Sequence, residues 1–110
     1  MPLPPLTPEE RAAALEKAAA ARKVRAELRE RLKHSEVSLV EVFDLGARDE
    51  AIGKMRVSAV LESMPGVGKV RAARIMEKLT ISPSRRVRGL GLHQRSALER
   101  EFAAGSDSQS

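Results

Sequence analysis

Leu61-Glu62-Ser63-Met64-Pro65-Gly66-Val67-Gly68-Lys69-Val70-Arg71-Ala72-Ala73-Arg74-Ile75 reads as a helix, a tight turn and a second helix. Pro65 ends the first helix, because the residue before a proline is pushed out of the helical region. Gly66 and Gly68 permit backbone angles closed to other residues, and they leave no side chain to hold a ligand away. The second helix then opens at the turn, so its first N–H groups and its dipole favour an anion. Lys69 and Arg71 fall in its first turn, with Arg74 one turn further on. The stretch therefore predicts a helix–hairpin–helix type of clamp that grips backbone phosphate rather than bases. The competing reading is a tight helix–helix turn that uses glycine for geometry alone.

Working outward, the second helix is expected from about Gly68 to Leu79, with Val70, Ala73, Ile75, Met76 and Leu79 inward and Ile81 as a core plug. Ser82-Pro83 is expected to restart a short helix carrying Arg85-Arg86-Val87-Arg88. Gly89-Leu90-Gly91 predicts a second sharp turn. Three Arg in four residues have no acid nearer in sequence than Glu77 and Glu99, and the planar guanidinium suits phosphate. A solvated arginine face is the bland alternative. A last helix over 92–102 and a disordered tail over 103–110 complete this side.

Toward the N-terminus, Ser58 is expected to cap the helix that Pro65 ends. Asp49 opens a short helix through Ile52. Ser38, with Glu41 three residues on, caps a helix that Gly46 is expected to stop. Residues 34–37 form a polar break. Thr7-Pro8-Glu9-Glu10 is a strong helix start, with a cap, a proline at the first position and a capping box. Nothing breaks the Ala-rich run from there to Lys33, which predicts a rod of about 39 Å. Ala21, Val24, Leu28 and Leu32 make one apolar stripe, so the second half of the rod is expected to dock and the first half to project. Residues 1–6 are Pro-rich and expected to be disordered. The fold class is thus all-α: a long N-terminal helix and a compact domain over 34–102.

The 110 residues include no Cys, Trp or Tyr and two Phe. Disulfides, zinc–thiolate sites and cysteine nucleophiles are excluded. His34 and His93 have no partners at metal spacing, and Thr7, Ser38 and Ser58 read as caps rather than nucleophiles. No catalytic residue, metal or cofactor is expected, and the chain is not expected to be an enzyme. No apolar run approaches the length needed to cross a bilayer, and the N-terminus lacks the features of a signal peptide, so a cytoplasmic location is expected.

Net charge is +5, with pI near 10.2. Residues 1–55 balance ten basic against ten acidic residues, so all of the excess lies beyond them. Nine basic residues fall between Lys54 and Gly91 against two acids, Glu62 and Glu77. That concentration, interleaved with glycines, is the footprint of a polyanion binder.

The two motifs, over Pro65 to Ala72 and Ser84 to Gly91, carry a resemblance together with two further stretches, Leu6 to Ala18 and Ile52 to Ala59. Through them, residues 3–102 resemble the actinobacterial integration host factor family of nucleoid-associated proteins. The resemblance implies a helix–two-turns–helix domain behind the long helix. It implies a monomer that binds double-stranded DNA with little sequence preference, bends or constrains it, and influences compaction and phage integration. The site residues expected on DNA are Lys54, Arg56, Gly66, Gly68, Lys69, Arg71, Arg74, Arg85, Arg86, Arg88 and Gly89. Recombination or topology enzymes acting on the same DNA are the further partners. One departure is Leu79-Thr80-Ile81, where the family often has Gly or an acidic residue before the Ile. The alternative function is an RNA- or ribosome-binding module of the same architecture. A DNA glycosylase that uses an N-terminal proline amine is set aside, because Leu3 stands where those enzymes carry Glu.

Overall fold

The structure, a computed structural model, describes the backbone of residues 5–108 and the side chains of residues 5–102. Among the described residues the regular elements are helical: α1 (Pro8–Lys33), α2 (Leu39–Arg48), α3 (Glu50–Gly53), α4 (Val57–Glu62), α5 (Lys69–Lys78), a single 3-10 turn (Val87–Gly89) and α6 (Leu92–Ser108). The overall extents are 56 × 31 × 24 Å.

The starts of α1 and α2 follow from local chemistry. Thr7 and Glu10 exchange side-chain and backbone hydrogen bonds in one capping box, and Ser38 and Glu41 do so in another. Both carboxyls are held below the usual glutamate range, chiefly by the backbone N–H each accepts. The exits of α1 and α5 share a geometry. Glu36 N–H reaches back to Arg31 O, and Ile81 N–H to Met76 O, with Ser35 and Thr80 in the left-handed region between.

As expected, α1 docks by its second half. Leu28 and Leu32 are buried, Val24 packs beside them, and residues 5–20 are exposed. The core continues through Val42 and Phe43 of α2, Ile52 of α3, Val57, Val60 and Leu61 of α4, Ile75 and Met76 of α5, and Leu98 of α6. Arg95 of α6 lies over the Phe43 ring, and Lys78 pairs with Glu101, tying α6 to α2 and α5.

Five expectations are corrected. Gly46 does not stop α2, which runs on to Arg48; Gly46 is buried within it. Ser58 does not cap α4. Arg56 holds that position without a side-chain cap, and Val57 N–H donates instead to Arg85 O, far along the chain. Val70 and Ala73 do not face inward: Val70 is 68% exposed, and the buried face is Ala72, Ile75 and Met76. Ser82-Pro83 starts no helix. A turn at 83–84 leads into extended backbone at Arg86, and only Val87–Gly89 is helical. The last helix does not end at Phe102 but extends to Ser108, because Ala103 and Ala104 give it no reason to stop. The remainder of the expected tail, 109–110, and residues 1–4 of the expected N-terminal arm lie outside the described residues.

Candidate nucleic-acid interface

The first turn is built locally. Val67 is buried and its N–H returns to Met64 O, which folds the turn onto the end of α4. Gly66 (φ +75°) and Gly68 (φ +51°) are both in the left-handed region, and a Cβ at either would meet nothing within 4 Å. Their role is conformational, and they leave bare main chain facing solvent. Gly68 sits at the N-cap of α5, which has no side-chain cap. Lys69 is exposed at its first position. Arg71 curls back, its Nη1 3.4 Å from Gly66 O.

The second turn is built by distant segments. Met55 O accepts from Val87 N–H at 2.9 Å and Arg85 O from Val57 N–H at 2.9 Å, so Arg56 and Arg86 face each other in an antiparallel bridge. Arg86 Nη1 donates to Lys54 O at 2.6 Å, and Arg85 Nη1 to Gly89 O at 3.2 Å. The turn is pinned from below by Val87, which is buried against Gly46. A Cβ on Gly46 would stand 2.6 Å from Val87 Cγ1; one on Gly53 would stand 2.6 Å from Gly46 O and 2.9 Å from Arg88 Nε. These glycines exist for close approach, not for unusual backbone angles.

That pairing collects charge. Lys54, Arg56 and Arg86 line one surface groove with Arg25 and Arg29 of α1, completed by Met55 and Ala59 and without an acidic residue. Lys54 also pairs with Glu50 at 2.6 Å. Glu50 is held below the usual carboxylate range by that contact first and then by the field of Lys17. Arg29, with Lys33 and the acids Glu30 and Glu62, borders a neighbouring depression that includes Pro65, Gly66 and Gly68. Arg29 therefore joins the two turns along one side of the molecule. Arg85, Arg88 and Gly89 do not line the five-cation groove: Arg85 and Gly89 bond each other at the second turn, and Arg88 stands over Gly53, the residue before Lys54. Lys69 faces differently, into a groove shared with Glu62 and Glu77. Arg74 is exposed on α5 and borders none of these three grooves.

Sequence reasoning missed Arg25, Arg29 and Lys33. The signal was present: they recur every fourth residue beside the buried Leu28 and Leu32, which sets them on one flank of α1. Counting net charge over residues 1–55 averaged that stripe against Glu27 and Glu30. Among the described residues no cluster of potential metal ligands occurs, and no helix is long and apolar enough to cross a membrane.

A helical domain presenting two glycine turns and a basic groove is the class this architecture defines, and residues 32–102 match the family described as S13-like H2TH domain. Nearly the whole chain is similar to proteins named integration host factor. That of Streptomyces coelicolor is 68% identical over 104 residues, spanning 94% of this chain and 97% of the relative. Those of Mycobacterium tuberculosis and Mycolicibacterium smegmatis are 57% and 58% identical, over 94% and 93% of this chain and 99% and 97% of theirs. A solved structure, described as sIHF bound to an 8-base-pair palindromic DNA, aligns with TM-score 0.77 and 67% identity, covering 79% of this chain and 98% of that one. The chain belongs to this integration host factor family.

Proposed function

We propose that the chain binds duplex DNA through backbone phosphates with little sequence preference and bends or constrains it. The observation that carries this reading is the groove of five cations and no acids made by Arg25, Arg29, Lys54, Arg56 and Arg86. The DNA-bound relative supports the same polyanion. In this reading Arg85, Arg88 and Gly89 extend the groove at the second turn. Gly66, Gly68, Lys69 and Arg71 supply a second contact through the bare main chain and the first turn of α5, with Arg74 one turn further on. Arg29 joins the two along α1, with Lys33 beside the first turn. The protein acts as a monomer at the nucleoid, without catalysis of its own. Compaction, phage integration and effects on transcription and topology follow from the DNA shape it holds, alongside recombination or topology enzymes on the same DNA.

A binding isotherm on duplexes of unrelated sequence, repeated across salt concentrations, tests this. With 4–6 phosphates neutralised, log K should fall against log salt with a slope of about −4 to −5, similar for all sequences. A slope near −1 removes the groove as the main contact surface. The S13-like character of the domain keeps an RNA- or ribosome-binding role as the second reading. Competition by structured RNA that displaces duplex DNA at equal or lower concentration decides for RNA. A donor–acceptor pair at the duplex ends reads the bend.

A further inference from the structure

Beside the two turns stand several hydroxyls, and most are engaged. Ser63 Oγ donates to Ala59 O, and Ser58 is half-buried. Ser82 Oγ accepts the N–H of Ser84 at 3.3 Å, which holds the turn at 83–84. Ser84 is exposed, and its own hydroxyl holds no backbone group; it meets only Ser82 Oγ, at 3.1 Å. It immediately precedes Arg85 and Arg86, whose backbone is fixed to residues 55–57 by the Arg85 O and Val87 N–H bonds. Ser84 thus carries an exposed hydroxyl next in sequence to the two arginines, and modifying it gives up only the bond to Ser82 Oγ, since the Ser84 N–H to Ser82 Oγ contact does not use that hydroxyl.

We propose that Ser84 is a phosphorylation site that switches off the second turn, a regulation that rests on the DNA-binding reading above. A protein kinase transfers the γ-phosphoryl group of ATP to Ser84 Oγ. The O–P bond forms as the bond to the β-phosphate oxygen breaks, ADP leaves, and the hydroxyl proton passes to the kinase's base. The product carries about −1.5 to −2 charge and three acceptor oxygens. It sits one and two residues before Arg85 and Arg86, whose guanidiniums at present bond single carbonyl oxygens, Gly89 O and Lys54 O. Charge-assisted bonds to phosphate are stronger than those to a neutral carbonyl, so the arginines turn to the internal phosphate and are lost to DNA.

The test combines binding and mass spectrometry on the full chain. Ser84→Ala should bind a short duplex as the parent does. Ser84→Glu should bind roughly 5–10-fold more weakly, with a salt slope smaller by about one, since one added charge offsets one phosphate contact. Chains purified from the cells that make them should carry phosphate on Ser84 in exponential or stationary growth. Parent-like binding by Ser84→Glu with an unchanged helical spectrum overturns the proposal, as does a fully unmodified Ser84 in both phases. A parent that fails to bind duplex DNA overturns the functional reading instead. The phosphopeptide measurement then decides the modification alone.

Discussion

The two glycine turns look alike in sequence and are held by different physics. Gly66 and Gly68 have positive φ and open space around them, so they are needed for what the main chain does there. At the second turn the decisive glycines are not in the turn at all. Gly46 and Gly53 lie beneath it, on α2 and α3, and are needed because Val87, Arg88 and each other's backbone occupy the space a side chain would take. One turn is a local conformation. The other is a tertiary junction between residues 54–57 and 85–87. Charge follows the same division in part: the first turn carries Lys69 and Arg71 from its own helix beside Arg29 and Lys33 of α1, while the second adds Lys54 and Arg56 of the α3–α4 connection to Arg25 and Arg29 and its own Arg86.

Gly53→Ala tests that division most severely. The new Cβ meets Gly46 O, a backbone atom that cannot rotate away. Overpacking of this kind costs about 1–3 kcal/mol, against about 1 kcal/mol regained from helix propensity. Urea denaturation should show a net loss of up to about 2 kcal/mol, and DNA binding should weaken with it. A variant as stable as the parent breaks the claim that the second turn is a packed junction.

Gly68→Val should do the reverse. Nothing crowds the site, so the fold should largely survive, with a cost of about 1–3 kcal/mol for a β-branched residue at φ +51°, ψ 175°. Binding should fall by more than about tenfold if the proposed phosphate contact is made here, because the branched side chain covers the main chain at that point. Circular dichroism beside a gel shift on one preparation separates the two effects. Parent-like binding makes the first turn a structural hairpin only.

Arg86→Ala and Lys69→Ala sharpen the comparison. Each should weaken binding uniformly across sequences and reduce the salt slope by about one. Only Arg86→Ala should also lower stability, by about 1 kcal/mol, because its guanidinium bonds Lys54 O. Equal unfolding midpoints for the two variants would place both side chains outside the junction.

Thr80→Gly concerns the exit of α5, between the turns. A β-branched residue at φ +59° is strained, and glycine relieves it. The melting midpoint should rise, by about 1 kcal/mol in stability, with DNA affinity unchanged. The smallest effect is expected at Glu50, whose carboxylate pairs with Lys54. Glu50→Gln should release that cation and strengthen binding by about twofold at low salt. Weaker binding would show that Glu50 positions Lys54 rather than restraining it.

What could be read from residues alone was whatever neighbours in sequence determine. Thr7 with Glu10 and Ser38 with Glu41 fix two helix starts through contacts three residues apart. Pro65 ends α4, and Gly66 and Gly68 shape the first turn whatever surrounds it. The all-α class and the half-docked rod follow from periodicity and from the absence of breakers. The start of α4 was not readable, because Arg85 O supplies what a capping side chain would. The inward face of α5 was misplaced at Val70 and Ala73, since periodicity gives a stripe but not which edge of it meets the core. Gly46 looked like a stop because a glycine required by a distant valine is identical, in sequence, to one required by its own φ. The groove that gathers Arg25, Arg29, Lys54, Arg56 and Arg86 belongs wholly to the tertiary structure. Like charges come together there because buried Val57 and Val87 and the backbone bonds between their segments hold them, and sequence spacing carries no record of that pairing.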